Sequence, residues 1–314
     1  MPDAPRLPVR IGTRGSPLAL AQAQETRARL LGAHPGLTIG QIEIQVIQTT
    51  GDRVRDRPLS EIGGKGLFTK EIEEALLERR IDLAVHSMKD MPAELPEGLA
   101  ILCLLEREDP RDVLISAKAQ TIDALPQGAT VGTSSLRRQA LLLRARPDLR
   151  VITFRGNVQT RLARLDAGEA DATLLALAGL RRLGLESISA SVIPVLEMLP
   201  AVAQGAIGVE ARAGDSAMAR LLQPLNHLPT EYCVRAERAF LAALDGSCRT
   251  PLAALAEILP GDRLRLCGQI IRPDGSQLLE ARREGALADA ARMGFDAGVE
   301  LRLRGGEDFF AASL

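Results

Sequence analysis

Three groups of residues in this 314-residue chain have types and spacings that could do chemistry. The first is a set of cations where strands turn into helices. Arg14 and Ser16 open one predicted helix, Ser134, Ser135, Arg137 and Arg138 open a second, and Arg155, Asn157 and Arg161 open a third. A helix N-terminus presents unpaired N–H groups and the positive end of its dipole, so Arg is unfavourable there until an anion reverses the sign. Arg adds a two-pronged fork matched to carboxylate or phosphate. Solvated surface arginines would explain any single case. Repetition at three junctions favours a ligand carrying several carboxylates or phosphates.

The second group is His86-Ser87-Met88-Lys89-Asp90, placed directly after a predicted strand Ile81 to Val85. Strand ends in open α/β sheets are where ligands bind. Lys89 could meet an anion, while Asp90 accepts a hydrogen bond from a ring N–H and stabilises positive charge developing on that ring. A solvent-facing polar turn, with His86 capping the sheet, is the competing reading. The third group is Cys248 in Asp245-Gly246-Ser247-Cys248-Arg249-Thr250-Pro251. The other cysteines fall in apolar surroundings: Cys103 in the run Ile101 to Leu105, Cys233 on a helix face, Cys267 in a strand. Buried Cys is inert, whereas a loop Cys beside Arg is biased toward thiolate; a loop Cys can equally be a bystander. Gly63-Gly64-Lys65-Gly66 lacks the spacing of a phosphate-binding P-loop, and its glycines and charges fit a movable lid better.

The elements that must hold these groups follow from periodicity. Strands are expected at Val9 to Thr13, Gln41 to Gln48, Thr130 to Thr133, Arg150 to Phe154 and Ala172 to Leu177, with helices between them. Ser16 with Pro17, Ser134 or Ser135, and Asn157 read as helix caps. IGTRGSPL (Ile11 to Leu18) parallels VGTSSLRR (Val131 to Arg138), and VIQTTGD parallels VITFRGN in the same order. This predicts two related α/β lobes with mainly parallel sheets and a cleft between them. The tail reads differently: a helix from about Glu231 to Leu244, strands Leu252 to Ile258, Leu264 to Ile271 and Gln277 to Arg283, then a helix from about Leu287 to Leu303. That is a small α+β third domain with an antiparallel sheet. The expected boundaries are 1–105 with 206–223 for the first lobe, 106–205 for the second, and 224–314 for the third domain.

Composition narrows the function classes. Hydrophobic residues make up 46% and charged residues 25%, ordinary for a globular core. Net charge is −1 and aromatics are 2%, so neither a general electrostatic pull on nucleic acid nor base stacking is expected. The opening MPDAPRLPVR has no apolar core of signal-peptide length, and no run approaches the roughly 18 to 20 apolar residues of a membrane span, so a cytoplasmic location without a membrane partner is expected. Four cysteines without C-x-x-C spacing and three scattered histidines predict no metal site and no disulfide framework.

Taken together, RIGTRGSPLALAQ, GGKGLFTKE, AVHSMKDMP, EREDPRD, VGTSSLRRQ, FRGNVQTRL, LALAGLRRLGL, PAVAQGAIG and LDGSCRTP resemble the porphobilinogen deaminase (hydroxymethylbilane synthase) family, from about Val9 to Met293. The resemblance implies two lobes like those of periplasmic binding proteins and a third domain carrying a covalent dipyrromethane cofactor. It implies a transferase of heme and chlorophyll biosynthesis that joins four porphobilinogens with loss of ammonia, and a monomer. By motif match, Cys248 would carry the thioether and Asp90 would be the catalytic carboxylate. Ser87, Lys89, Asp90, Thr133, Ser134, Ser135, Arg137, Arg138, Arg155 and Gly156 would bind the cofactor. Arg14, Ser16, Arg155, Arg161 and Arg182 would hold substrate acid groups, Lys65 would belong to the lid, and Gln204 to the hinge. Ser247 stands where the family often has Gly, and Glu61 where some relatives have Lys.

Overall fold

The computed structural model describes residues 5, 7–53, 66–188, 190–244 and 251–311. Lys65, Glu61, Ser247 and Cys248 therefore lie outside the described residues. The strands in chain order are β1 (Val9–Thr13), β2 (Ile42–Val46), β3 (Leu83–Ser87), β4 (Leu99–Leu104), β5 (Asp112–Ile115), β6 (Thr130–Gly132) and β7 (Arg150–Ile152). They continue with β8 (Ala172–Ala176), β9 (Ala190–Val192), β10 (Ile207–Arg212), β11 (Leu252–Leu259), β12 (Arg263–Ile271) and β13 (Leu278–Ala286).

Contacts divide the chain into two compact units, Met1–Arg107 with Ala206–Glu231, and Glu108–Gly205 with Tyr232–Leu314. The first unit is built on a sheet ordered β2-β1-β3-β10-β4. Strand β1 is parallel to β2 and β3, whereas β10 is antiparallel to both β3 and β4. Four strands therefore run one way and β10 runs against them. Val9, Ile11, Leu83, Val85, Ile207 and Val209 join Leu30 and Leu222 in its core.

The second unit repeats the plan as β7-β6-β8-β5-β9, with β5 antiparallel to its two neighbours. Corresponding strands thus occupy corresponding places, as the repeated letters predict. Helix starts also agree. Ser16 accepts the Ala19 N–H for helix Pro17–Ala33, Ser135 accepts the Arg138 N–H for helix Leu136–Ala145, and Asn157 accepts the Thr160 N–H for helix Val158–Asp166. Each cap satisfies an orphan donor immediately after a strand, which fixes where the helix points its free N–H groups.

The second unit also contains the antiparallel sheet β11-β12-β13. Phe240 of helix Leu228–Ala243 is fully buried against Gly268 on β12, and helix Ala290–Ala311, kinked at Gly306 with φ 68°, packs on the same sheet. This sheet shares apolar cores with the second lobe: Ile271 packs with Leu141 and Leu174, and Leu199 with Ala253 and Leu255. The turn before β13 docks there as well. Gly275, at φ +76°, lies so close to helix Leu136–Ala145 that a Cβ would stand 2.5 Å from the Arg144 nitrogen. Any side chain there would combine left-handed strain with a backbone clash.

One boundary shift bears on chemistry. The third strand covers Leu83–Ser87 rather than Ile81 to Val85, so His86 and Ser87 belong to the ladder, paired with Gly208 and Ile207. Apolar periodicity missed this because a buried His looks polar in sequence. Among the described residues, no helix is long and apolar enough to cross a membrane.

Candidate active site

In the first unit, the C-terminal ends of β1 and β3 meet a helix start. Arg14 and Ser16 leave β1, helix Pro17–Ala33 begins, and the chain after β3 makes a short turn, Met88–Asp90. These segments and Phe68 line a hollow of about 410 Å³, counting its open mouth. Arg14, Ser16, Gln22, Phe68, Ser87 and Asp90 face it.

The Arg14 guanidinium lies 4.1 Å from the centre of the Phe68 ring, a cation–π contact that holds its plane. Gln22, 3% exposed, donates its amide N–H to Ser87 Oγ at 2.7 Å. His86 is buried, and its Nε2 lies 3.0 Å from Glu210 Oε2 on β10. Asp90 is exposed at the mouth, and among the described residues nothing hydrogen-bonds to its carboxylate. Lys89, half-buried, sits between Met88 and Asp90 on the turn. The structure thus brings Arg14, Ser16, Ser87 and Asp90 to one hollow.

In the second unit, Arg137 and Arg138 leave the cap of helix Leu136–Ala145 and turn inward, each 5% exposed. Both reach Asp112, which is fully buried at the start of β5. Arg137 Nη2 donates to Oδ2 at 2.6 Å and Arg138 Nη2 to Oδ1 at 2.7 Å. Their Nη1 groups donate to the carbonyls of Leu199 and Leu174. Gln204 Nε2 completes the group with bonds to Asp112 Oδ1 at 2.9 Å and to the Pro110 carbonyl at 2.7 Å. Burial alone would raise the Asp112 carboxyl; the charges of Arg137 and Arg138 and their hydrogen bonds overcome it and hold the group far below the usual carboxylate range. Burial in turn pushes Arg137 down, with Asp112 opposing that effect.

Two guanidiniums against one carboxylate leave a net positive charge inside the protein. Among the described residues, the Nε–H groups of Arg137 and Arg138 have no partner, nor does Nη1 of Arg155. Unpaired buried donors are costly and rare, so these mark places for further acceptors. Thr133 is buried beside this junction with Oγ1 accepting the Ser135 N–H, and Ser134 is exposed. Arg155 and Gly156 (φ +116°) follow β7, and Arg161 Nε donates to the Gly156 carbonyl. Arg182 ends helix Leu177–Arg182 and donates to the Gly205 carbonyl at 3.0 Å.

Sequence reasoning missed Gln22, Phe68, Asp112 and Glu210. Asp112 carried a signal, since an acid opening the apolar run Asp112–Ile115 must find a cation once buried. The described cysteines are poor nucleophiles: burial pushes the Cys103 thiol up to about 12 and Cys267 up to about 11, and Cys233 is buried. Treating the native protein at pH 8 with an aromatic disulfide reagent is expected to leave Cys103 and Cys267 unmodified, as read by peptide mass mapping. Ready labelling of either would contradict the raised thiols that burial of Cys103 and half-burial of Cys267 produce.

Residues 9–220 match the family model "Porphobilinogen deaminase, dipyromethane cofactor binding domain", and residues 231–302 match "Porphobilinogen deaminase, C-terminal domain". The chain belongs to the porphobilinogen deaminase family. A porphobilinogen deaminase of Paracoccus denitrificans is 61% identical over 310 residues, covering 99% of this chain and 98% of that protein. One from Nitrobacter winogradskyi is 55% identical over 300 residues, covering 96% and 94%. Among solved structures, the periplasmic VFT2 domain of Bordetella pertussis BvgS matches with a TM-score of 0.41 at 16% identity, covering 70% of this chain and 88% of that one. The first of these matches spans both arginine-bearing junctions described above.

Proposed function

We propose that this protein is a hydroxymethylbilane synthase that joins four porphobilinogens head to tail, with release of ammonia, on a dipyrromethane held covalently by Cys248. The observation that carries the reading is the buried Arg137–Arg138 pair on Asp112, positively charged overall and with Nε–H donors to spare. A two-ring group bearing acetate and propionate arms fits such a corner, because each arm supplies the acceptor that these donors lack. Arg155, with its own unpaired buried Nη1, and Ser134 and Ser135 at the helix start would hold further acid groups. Thr133, Gly156, Ser87 and Lys89 complete the proposed set. When bound, the dipyrromethane supplies the free ring carbon to which the first pyrrole is joined.

The remaining work falls to the chain's own residues. Porphobilinogen carries two carboxylates, matched to Arg14 with Ser16 at one helix start and to Arg155, Arg161 and Arg182 in the second unit. Its carbon–nitrogen bond breaks and ammonia leaves, so the ring becomes cationic; a carbon–carbon bond then forms, and the attacking ring's carbon gives up its proton. Asp90 accepts ring N–H hydrogen bonds, balances the positive charge and receives that proton at its carboxylate. Its exposure at the mouth of the hollow leaves it open to a substrate. Lys65 lies in the stretch assigned to a lid. A cytoplasmic monomer, without nucleic acid, membrane or metal partners, completes the reading.

Intact mass spectrometry tests it. The wild-type chain is expected to carry the mass of one dipyrromethane and to gain further pyrrole increments when porphobilinogen is added. Cys248→Ala is expected to lack the adduct. An unmodified wild-type mass would favour the rival reading, a two-lobed anion-binding protein without catalysis.

A further inference from the structure

The Asp90 carboxylate has no hydrogen bond among the described residues, so its place depends on what holds the turn beneath it. Three consecutive residues before it are fastened, and each is fastened to β10 or to the residue leading into it. His86 Nε2 lies 3.0 Å from Glu210 Oε2. Ser87 pairs with Ile207 in the ladder. The Met88 N–H donates to the Ala206 carbonyl at 3.0 Å. Met88, 1% exposed, also sits where a Cβ at Gly208 would have to be: such an atom would overlap its sulfur. Gly208 is thus the residue whose missing side chain lets the turn settle on the sheet.

Glu210 is fully buried, and among the described residues only one of its oxygens is engaged; Oε1 has no partner there. The contact between Glu210 Oε2 and His86 Nε2 fixes the orientation of the ring. From helix Lys70–Leu77 the other nearby acid, Glu73, faces the same pair. Burial pushes its carboxyl up, the charge of Glu210 adds to the rise and His86 opposes it. Burying two acids beside one imidazole is costly, and a protein that needed only a filled core would use apolar residues of similar volume. The fold instead pairs Glu210 with the ring four residues before Asp90.

We propose that Glu210 and Gly208 on β10 are positioning residues for Asp90, acting through His86 and Met88. The inference rests on the reading of Asp90 as the catalytic carboxylate. A strand from a distant part of the sequence then sets the height and tilt of the turn, while Asp90 stays exposed to receive substrate.

The test uses the full-length protein loaded with its cofactor, comparing Glu210→Ala, Glu210→Gln, Gly208→Ala and Asp90→Asn. Thermal melts followed by circular dichroism establish that each variant is folded. In Glu210→Ala, kcat is expected to fall about tenfold or more, within the roughly 100-fold that a 1 Å misplacement costs. KM and the dipyrromethane load stay near wild type. Glu210→Gln keeps an oxygen that accepts Nε2–H and is expected to restore most of kcat. If Gly208→Ala does not fold, the Glu210 pair decides alone. A wild-type kcat in Glu210→Ala, a loss confined to KM, or a Glu210→Gln as impaired as Glu210→Ala overturns the proposal. Full activity in Asp90→Asn would instead overturn the catalytic reading, whatever Glu210 does.

Discussion

Replacing Asp90 by Asn is expected to lower kcat by about three orders of magnitude while leaving the fold and the covalent dipyrromethane in place. Asn keeps the shape and can still accept a hydrogen bond, so the substitution removes only the negative charge and the ability to take up a proton. Both matter in the proposed chemistry, because the ring that loses ammonia becomes cationic and the attacking carbon must lose a proton. Losing a general base costs about 10² to 10⁴ in rate, and losing a charge that stabilises the transition state costs about 10² to 10³. The folded state should scarcely notice, since an exposed polar substitution shifts stability by about 0.5 kcal/mol or less. Asp90 makes no hydrogen bond among the described residues that would be lost. Single-turnover kinetics with porphobilinogen, alongside intact mass of the loaded variant, separate the two effects. A variant that elongates its primer at the wild-type rate would remove Asp90 from the mechanism.

How much of this was legible in the letters depends on the range of the interaction. Local signals read well. Ser16, Ser135 and Asn157 were identifiable as caps because a cap bonds only two or three residues ahead, and each is found capping. The duplicated lobes were visible because the same strand-to-helix junction recurs in the same order. Sheet order was not. Strand β10 inserts between β3 and β4 from more than 100 residues further on, and nothing in its own letters says which strands it will join.

The same limit governs the site. Arg137 and Arg138 were recognisable as cations at a helix start, but their partner Asp112 lies about 25 residues earlier, so their inward turn could not be read. The expectation of ligand-binding arginines therefore needs refinement in physical terms: their Nη1 and Nη2 groups already bond the protein, while Nε–H has no partner among the described residues. Likewise Glu210 reads as one more charge in Ile207–Arg212, and only the ladder register shows it meeting His86.

That refinement gives the second large effect. Asp112→Ala is expected to destabilise the protein by about 3 to 5 kcal/mol, the cost of leaving buried charges without their partner. Here the cost falls on two guanidiniums at once, since Arg137 and Arg138 would face each other with no anion between them. The dipyrromethane load should fall as well, because the arginine forks would no longer be aligned. Dependence on pH gives the effect a sign. The folded carboxyl is held well below its unfolded value of about 3.9, so its stabilisation is complete above that pH and is lost as pH falls toward the folded value. The stability gap between wild type and Asp112→Ala, measured by urea unfolding, should thus be constant from about pH 5 to 8 and shrink below about pH 4. A gap that is equally large at acid pH, or absent at neutral pH, would mean that Asp112 is not the charge holding this corner together.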